Sequence, residues 1–184
     1  MYWHLPDQVK RPKLSKRQPS IPTDDAISTL FGWPNERFPG WELARLFLEV
    51  KAMSECRLND LCQVRSGQLN GATLTITADQ DKTPRERAIP LPADIADRLH
   101  AIKGLVYLWE RYVEDARVYR KGRRNEREFR PSLMYNGMKW VFKEYQKAHP
   151  EARIKSQDLR KRAITLTALA TQKECEMIGQ AYSI

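Results

Sequence analysis

Two short stretches of this chain, Thr73-Leu74-Thr75-Ile76-Thr77 and Arg87-Ala88-Ile89-Pro90-Leu91, place an apolar residue at every second position, whereas the apolar residues around them recur at spacings of three and four. A period of two belongs to a strand with one covered face, and a period near 3.6 belongs to a helix. The polar connection between the two stretches contains Asp79, Asp81, Thr83 and Pro84, so they read as a β-hairpin with Lys82 near its turn. One hairpin set among helices narrows the choice of architecture. The expected fold is mainly α with a small antiparallel β-sheet.

The helices follow in order. Thr23-Asp24-Asp25 offers a capping hydroxyl and first-turn acids, predicting a helix through Ala26, Ile27 and Leu30 that Gly32 and Pro34 end. From Trp41 to Met53, Leu43, Leu46, Phe47, Val50 and Met53 form a broad apolar face. A short helix is expected over Leu58 to Val64, beginning at Arg57. A longer one covers Ala93 to Asp115, with Ile95, Leu99, Ile102, Val106 and Trp109 on one face. Met138 to Ala148 carries Trp140, Val141, Phe142 and Tyr145. Ser156 opens and caps the last helix, whose stripe Leu159, Ala163, Leu166 and Leu169 reads as core.

A chain of 184 residues can bury one sizeable core, and residues 23–184 are expected to share it. Residues 1–22 are polar, proline-containing and basic, with Lys10, Arg11, Lys13, Lys16 and Arg17, and read as a flexible arm or linker. A second basic run, Arg120, Lys121, Arg123, Arg124, Arg127 and Arg130, lies in the connection Tyr119 to Arg130. Together with a net charge of +9, from 32 Lys+Arg against 23 Asp+Glu, these runs make a polyanion the first partner to consider.

Three cysteines, Cys56, Cys62 and Cys175, form no CxxC pair, and His4, His100 and His149 are scattered, so no disulfide framework, zinc site or other metal site is expected. The cysteine usage fits a reducing cytoplasm. No run approaches the ~20 apolar residues of a membrane span, and Met1 to Leu14 lacks the apolar stretch of a signal peptide.

Ser156-Gln157-Asp158-Leu159-Arg160 sets an amide and a guanidinium three residues apart, on one face of a helix start. This segment resembles the His-x-x-Arg box of tyrosine recombinases, the phage-integrase family, with Gln157 at the histidine. Glu55-Cys56-Arg57-Leu58-Asn59-Asp60-Leu61 resembles the family's first arginine box, with Arg57 at the arginine and Asp60 at the acidic position. Asp81-Lys82-Thr83 and the following Ile89-Pro90-Leu91-Pro92 resemble the hairpin that carries a catalytic lysine. The three elements stand in the family's order, and the resemblance covers Thr23 to the C-terminus.

The resemblance implies a DNA breaking-rejoining fold that cleaves and rejoins duplex DNA at specific sites through a 3′-phosphotyrosine, needing no metal, ATP or other cofactor. Arg57 and Arg160 would bind the scissile phosphate, each with a planar, permanently charged fork of donors. Lys82 would protonate the departing 5′ oxygen, and Asp60 would hold Arg57 or nearby backbone. The resemblance also implies assembly of copies on DNA and, in a prokaryote, a nucleoid-associated cytoplasmic protein with no membrane partner.

The chain departs from the pattern at its imidazoles and its nucleophile. Gln157 and Gln180, the latter in Met177-Ile178-Gly179-Gln180, stand where the family has histidine or tryptophan. Glutamine can hydrogen-bond a phosphate oxygen but cannot exchange a proton near neutral pH. Tyr182 lies only two residues past Gln180, and the family's nucleophile would fall beyond Ile184. The expectation is therefore a catalytic domain truncated at its C-terminus and without the N-terminal DNA-clamping domain, binding DNA with cleavage absent or impaired. Two alternatives stay open: a non-catalytic DNA-binding or regulatory module on the same scaffold, and a type IB topoisomerase-like enzyme.

Overall fold

The computed structural model describes residues 21–35, 40–80, 86–111 and 129–181, with side chains as far as residue 173. It is mainly helical with one small antiparallel sheet. The helices are α1 (Asp24–Gly32), α2 (Trp41–Met53), α3 (Leu58–Cys62), α4 (Ala93–Ile102), α5 (Pro131–Ala148) and α6 (Ser156–Ala181). The strands, between α3 and α4, are β1 (Leu69–Asn70), β2 (Thr73–Ile76) and β3 (Arg87–Pro90). The basic arm through residue 20, the basic run 120–128 and the Lys82 turn lie outside the described residues.

α2 is the central element, packed against α1, α4 and α6. Its spacing of apolar residues explains this. Leu43, Leu46, Phe47 and Val50 are buried, and so are Ala44, Leu48 and Ala52 around the other side. α1 begins as expected, with the Ala26 N–H donating to the Thr23 hydroxyl at 3.3 Å. It meets α5 through Tyr145, whose ring stands edge-on to Trp33 with centroids 5.9 Å apart.

The sheet has the order β1-β2-β3, and β2 pairs with β3 in the register Leu74 to Ile89, so the buried members of the two alternating stretches stand side by side. β1 is an addition to the expected hairpin. Gly71 adopts φ 54, a conformation that suits a residue without Cβ, and allows a tight return from Asn70 to Thr73.

Three expected boundaries differ. The helix from Ala93 stops at Ile102 rather than running to Asp115. Residues 104–108 instead pair with the segment after α3: Leu108 N–H donates to Val64 O at 3.0 Å and Ser66 N–H to Val106 O at 3.0 Å. Trp109 is buried as expected, but Val106 is 55% exposed because it no longer shares a helical face. α5 starts at Pro131 rather than Met138; proline is favoured in a first helical turn, where its missing N–H has no intrahelical partner to lose. α3 ends at Cys62, two residues short of Val64.

α6 follows the expected stripe only partway. Leu159 and Ala163 are buried against α2, whereas Leu166 and Leu169 are 47% and 50% exposed. The apolar repeat thus continues beyond the buried part of the helix. Among the described residues, no helix is long and apolar enough to cross a membrane.

Candidate functional site

The residues of the two arginine boxes meet at the connector between α2 and α3. Ser54, at the end of α2, and Arg57, before α3, both have extended backbone, with ψ of 138° and 157°. Carbonyls in such a connector lie outside a helical ladder and need other donors. Cations supply them. Arg160 Nε donates to Glu55 O at 2.7 Å, and Arg87 from β3 donates to the same oxygen at 3.2 Å. The Lys51 ammonium donates to Cys56 O at 2.6 Å. The Arg57 N–H is taken by the Asp60 carboxylate at 3.2 Å.

Four elements, α2, α3, β3 and α6, therefore converge on three consecutive residues, Glu55, Cys56 and Arg57. Asp60 is buried and acts as the N3 acid of α3, reaching back to the residue before the helix. Arg57 and Arg160 are both half-buried. Lys51, Arg87 and Arg160 thus all bond main-chain carbonyls of the one connector that leads into Arg57, and Asp60 accepts the Arg57 N–H at its end.

Lys51 was not singled out by the sequence patterns. It is fully buried, and desolvation first, with the Arg160 charge also opposing its proton, lowers its pKa to about 8. Cys56, Asp60 and Cys62 act in the other direction. Burial likewise raises the thiol pKa of Cys56 to about 11 and that of Cys62 further, so both are held as neutral thiols. A signal for Lys51 was present in the sequence: it follows Phe47 by four positions, on the apolar face of α2.

The start of α6 differs in detail from the expected serine cap. The helix begins at Ser156, and the capping bond is made one residue earlier, where Asp158 accepts the Lys155 N–H at 2.9 Å. Asp158 thereby brings its own negative charge to the helix end. Gln157 is exposed in the first turn. Gln180 is on the helix, with its side chain outside the described residues, as are Lys82 and Tyr182 entirely.

A sizeable cavity lies elsewhere. A groove of about 690 Å³ runs between α1, α2, α4 and α6, lined by apolar residues such as Ile27, Phe31, Met53, Ile95 and Leu166, and by neither Arg57 nor Arg160. Among the described residues, no group of three or more His, Cys, Asp or Glu side chains is placed to hold a metal ion. No protein-family model matches the chain, and no curated protein matches it.

Proposed function

We propose that the chain is a tyrosine-recombinase-like DNA-binding domain in which Arg57 and Arg160 grip one backbone phosphate of duplex DNA. One observation carries this: Arg160 is bonded to the carbonyl of Glu55, two residues before Arg57, although 105 positions separate the bonded pair. The boxes that resemble the two arginine motifs thus share one connector. Two guanidiniums turned toward one phosphate from this connector would supply the charge and the donors that it needs without a metal. Asp60 fixes the backbone between them by holding the Arg57 N–H.

Cleavage is expected to be absent or weak, because Gln157 cannot trade a proton where the family uses histidine. The same glutamine favours a second form of the proposal, a non-catalytic DNA-binding module on this scaffold. Both forms bind DNA through the same phosphate contact, and they part only at the chemistry.

The deciding experiment is a salt series of duplex-DNA binding for the parent and for Arg57→Ala with Arg160→Ala, beside a suicide-substrate assay for covalent DNA. Binding that weakens with salt in the parent, and a salt slope reduced by about one to two in the double variant, supports the phosphate contact. Equal binding by both proteins would sink it. A covalent adduct abolished by Tyr182→Phe would establish cleavage and exclude the non-catalytic form.

A further inference from the structure

Lys51 is buried where Arg57, Arg87 and Arg160 are partly exposed. Its side chain is fully buried, and its ammonium ends on the Cys56 carbonyl at 2.6 Å. A buried ammonium is costly, and an apolar side chain of similar length would fill the same space without that cost. The bond gives the lysine its use. Cys56 immediately precedes Arg57, and the Glu55 carbonyl just before it is the acceptor shared by Arg160 and Arg87. The Ser54 hydroxyl donates to the Lys51 carbonyl at 3.3 Å, which ties the start of the same connector to the lysine's own backbone.

We infer that Lys51 is a positioning residue of the phosphate pocket, which holds the Cys56 carbonyl so that the connector keeps Arg57 in register with Arg160. The inference rests on the proposed role of those arginines. It assigns Lys51 no contact with DNA and no proton to transfer.

The groups facing the ammonium are Cys56 from the connector, Asp60 and Cys62 from α3, and Arg160 from α6, while Arg87 from β3 acts on Cys56. Desolvation and Arg160 favour the neutral amine. Both thiols stay neutral in the range where the lysine titrates, so the loss of its proton is the local charge change near pH 8. A neutral amine bonds a carbonyl more weakly than an ammonium, so the grip on Cys56 loosens in mildly alkaline solution.

The test compares the parent, Lys51→Met, Arg57→Ala and the Lys51→Met/Arg57→Ala double variant. Hydrogen exchange at the Arg57 amide and the Arg160 Nε–H is read by NMR, together with duplex-DNA affinity at pH 6.5 and pH 9. Lys51→Met is expected to fold and to exchange both protons about tenfold faster. It should lose as much affinity as Arg57→Ala, with little further loss in the double variant. The parent's affinity should fall toward pH 9, whereas that of Lys51→Met stays flat.

Unchanged exchange in folded Lys51→Met overturns the positioning role whatever the DNA data show. Faster exchange with Arg57→Ala binding DNA as the parent does is a different failure: the phosphate pocket itself is then wrong, and the purpose assigned to Lys51 goes with it. Should Lys51→Met not fold, the parent decides. A step in exchange at the Arg57 amide near pH 8, after correction for hydroxide catalysis, supports the role, and a smooth profile overturns it.

Discussion

Trp109 donates its indole N–H to the carbonyl of Leu61 at 2.8 Å, joining the segment after α4 to the helix that follows Arg57. The ring is fully buried and packs against Phe47 with centroids 4.9 Å apart. Trp109→Phe removes the donor and leaves Leu61 O with a longer 3.5 Å bond from the Val64 N–H. A loss of about 2–3 kcal/mol is expected, from the bond and the lost volume together. Urea unfolding should show it as a lower midpoint with an unchanged slope.

At Arg160 the fork matters beyond the charge. One edge of the guanidinium is used on Glu55 through Nε, and a lysine has no second edge with which to hold backbone and phosphate together. Arg160→Lys is therefore expected to lose duplex-DNA affinity nearly as far as Arg160→Ala, within about threefold. Parental affinity in the lysine variant would show that charge alone suffices.

Lys51 gives the protein a distinctive pH response. Its folded pKa of about 8 lies below the ordinary 10.5, so between these values the unfolded chain binds more protons and stability rises with pH. From pH 8 to pH 9 the parent should gain about 1 kcal/mol from this group. Across the same range the thiols oppose the gain, because Cys56 and Cys62, ordinarily near 9, ionise once unfolded and stay neutral when folded. The parent should therefore gain about 1 kcal/mol relative to Lys51→Met between pH 8 and pH 9, a difference that denaturant melts of both proteins would reveal.

Gly104 has no room for a methyl group. A Cβ there would run into the Glu110 side chain and the Tyr107 carbonyl, the same groups that close the turn through Gly104 N–H to Tyr107 O at 3.1 Å and Val106 N–H to Glu110 at 3.1 Å. Gly104→Ala should cost about 1–3 kcal/mol and lower the Tm.

Along α6 the sensitivity to substitution should break sharply. Leu159→Ala empties a fully buried site and should cost about 2–5 kcal/mol. Leu166→Gln and Leu169→Gln alter half-exposed positions and should stay within about 0.5 kcal/mol of the parent. Equal losses at all three positions would mean that the outer part of the helix is covered in solution.

Elements with one covered face and enough length were readable from the chain. α2 shows this through its three-and-four spacing, and β2 with β3 through their alternation. β1 is too short for a period to register, although Asn70-Gly71 is a strong hairpin signal and could have marked it. The helix from Ala93 was overextended because Trp109 fits the helical spacing by coincidence; it is buried by its bond to Leu61 instead. Leu166 and Leu169 continue a genuine repeat, but periodicity records only which face is apolar. Whether a partner lies opposite is a property of the neighbours and not of the repeat.

At the candidate site, Arg57, Asp60 and Arg160 are legible as motif positions, and the structure adds that Asp60 holds the Arg57 N–H and that Arg160 bonds the carbonyl of Glu55. Arg87 and Lys51 were not legible as members, because their role is to bond main-chain carbonyls, and a carbonyl leaves no mark on the sequence.

The Arg160 to Glu55 bond also sets an order in time. The connector, α2 and α3 lie early in the chain, yet one of their main-chain acceptors waits for a donor from α6, 105 positions later. Closing so long a loop costs entropy before any contact repays it, and chains emerge N-terminus first during synthesis. A nascent chain can assemble the α2 face and the hairpin well before Arg160 has been made. The contact that joins the two arginine boxes is thus among the last features to form, and until α6 has been made the Glu55 carbonyl lacks one of its two donors.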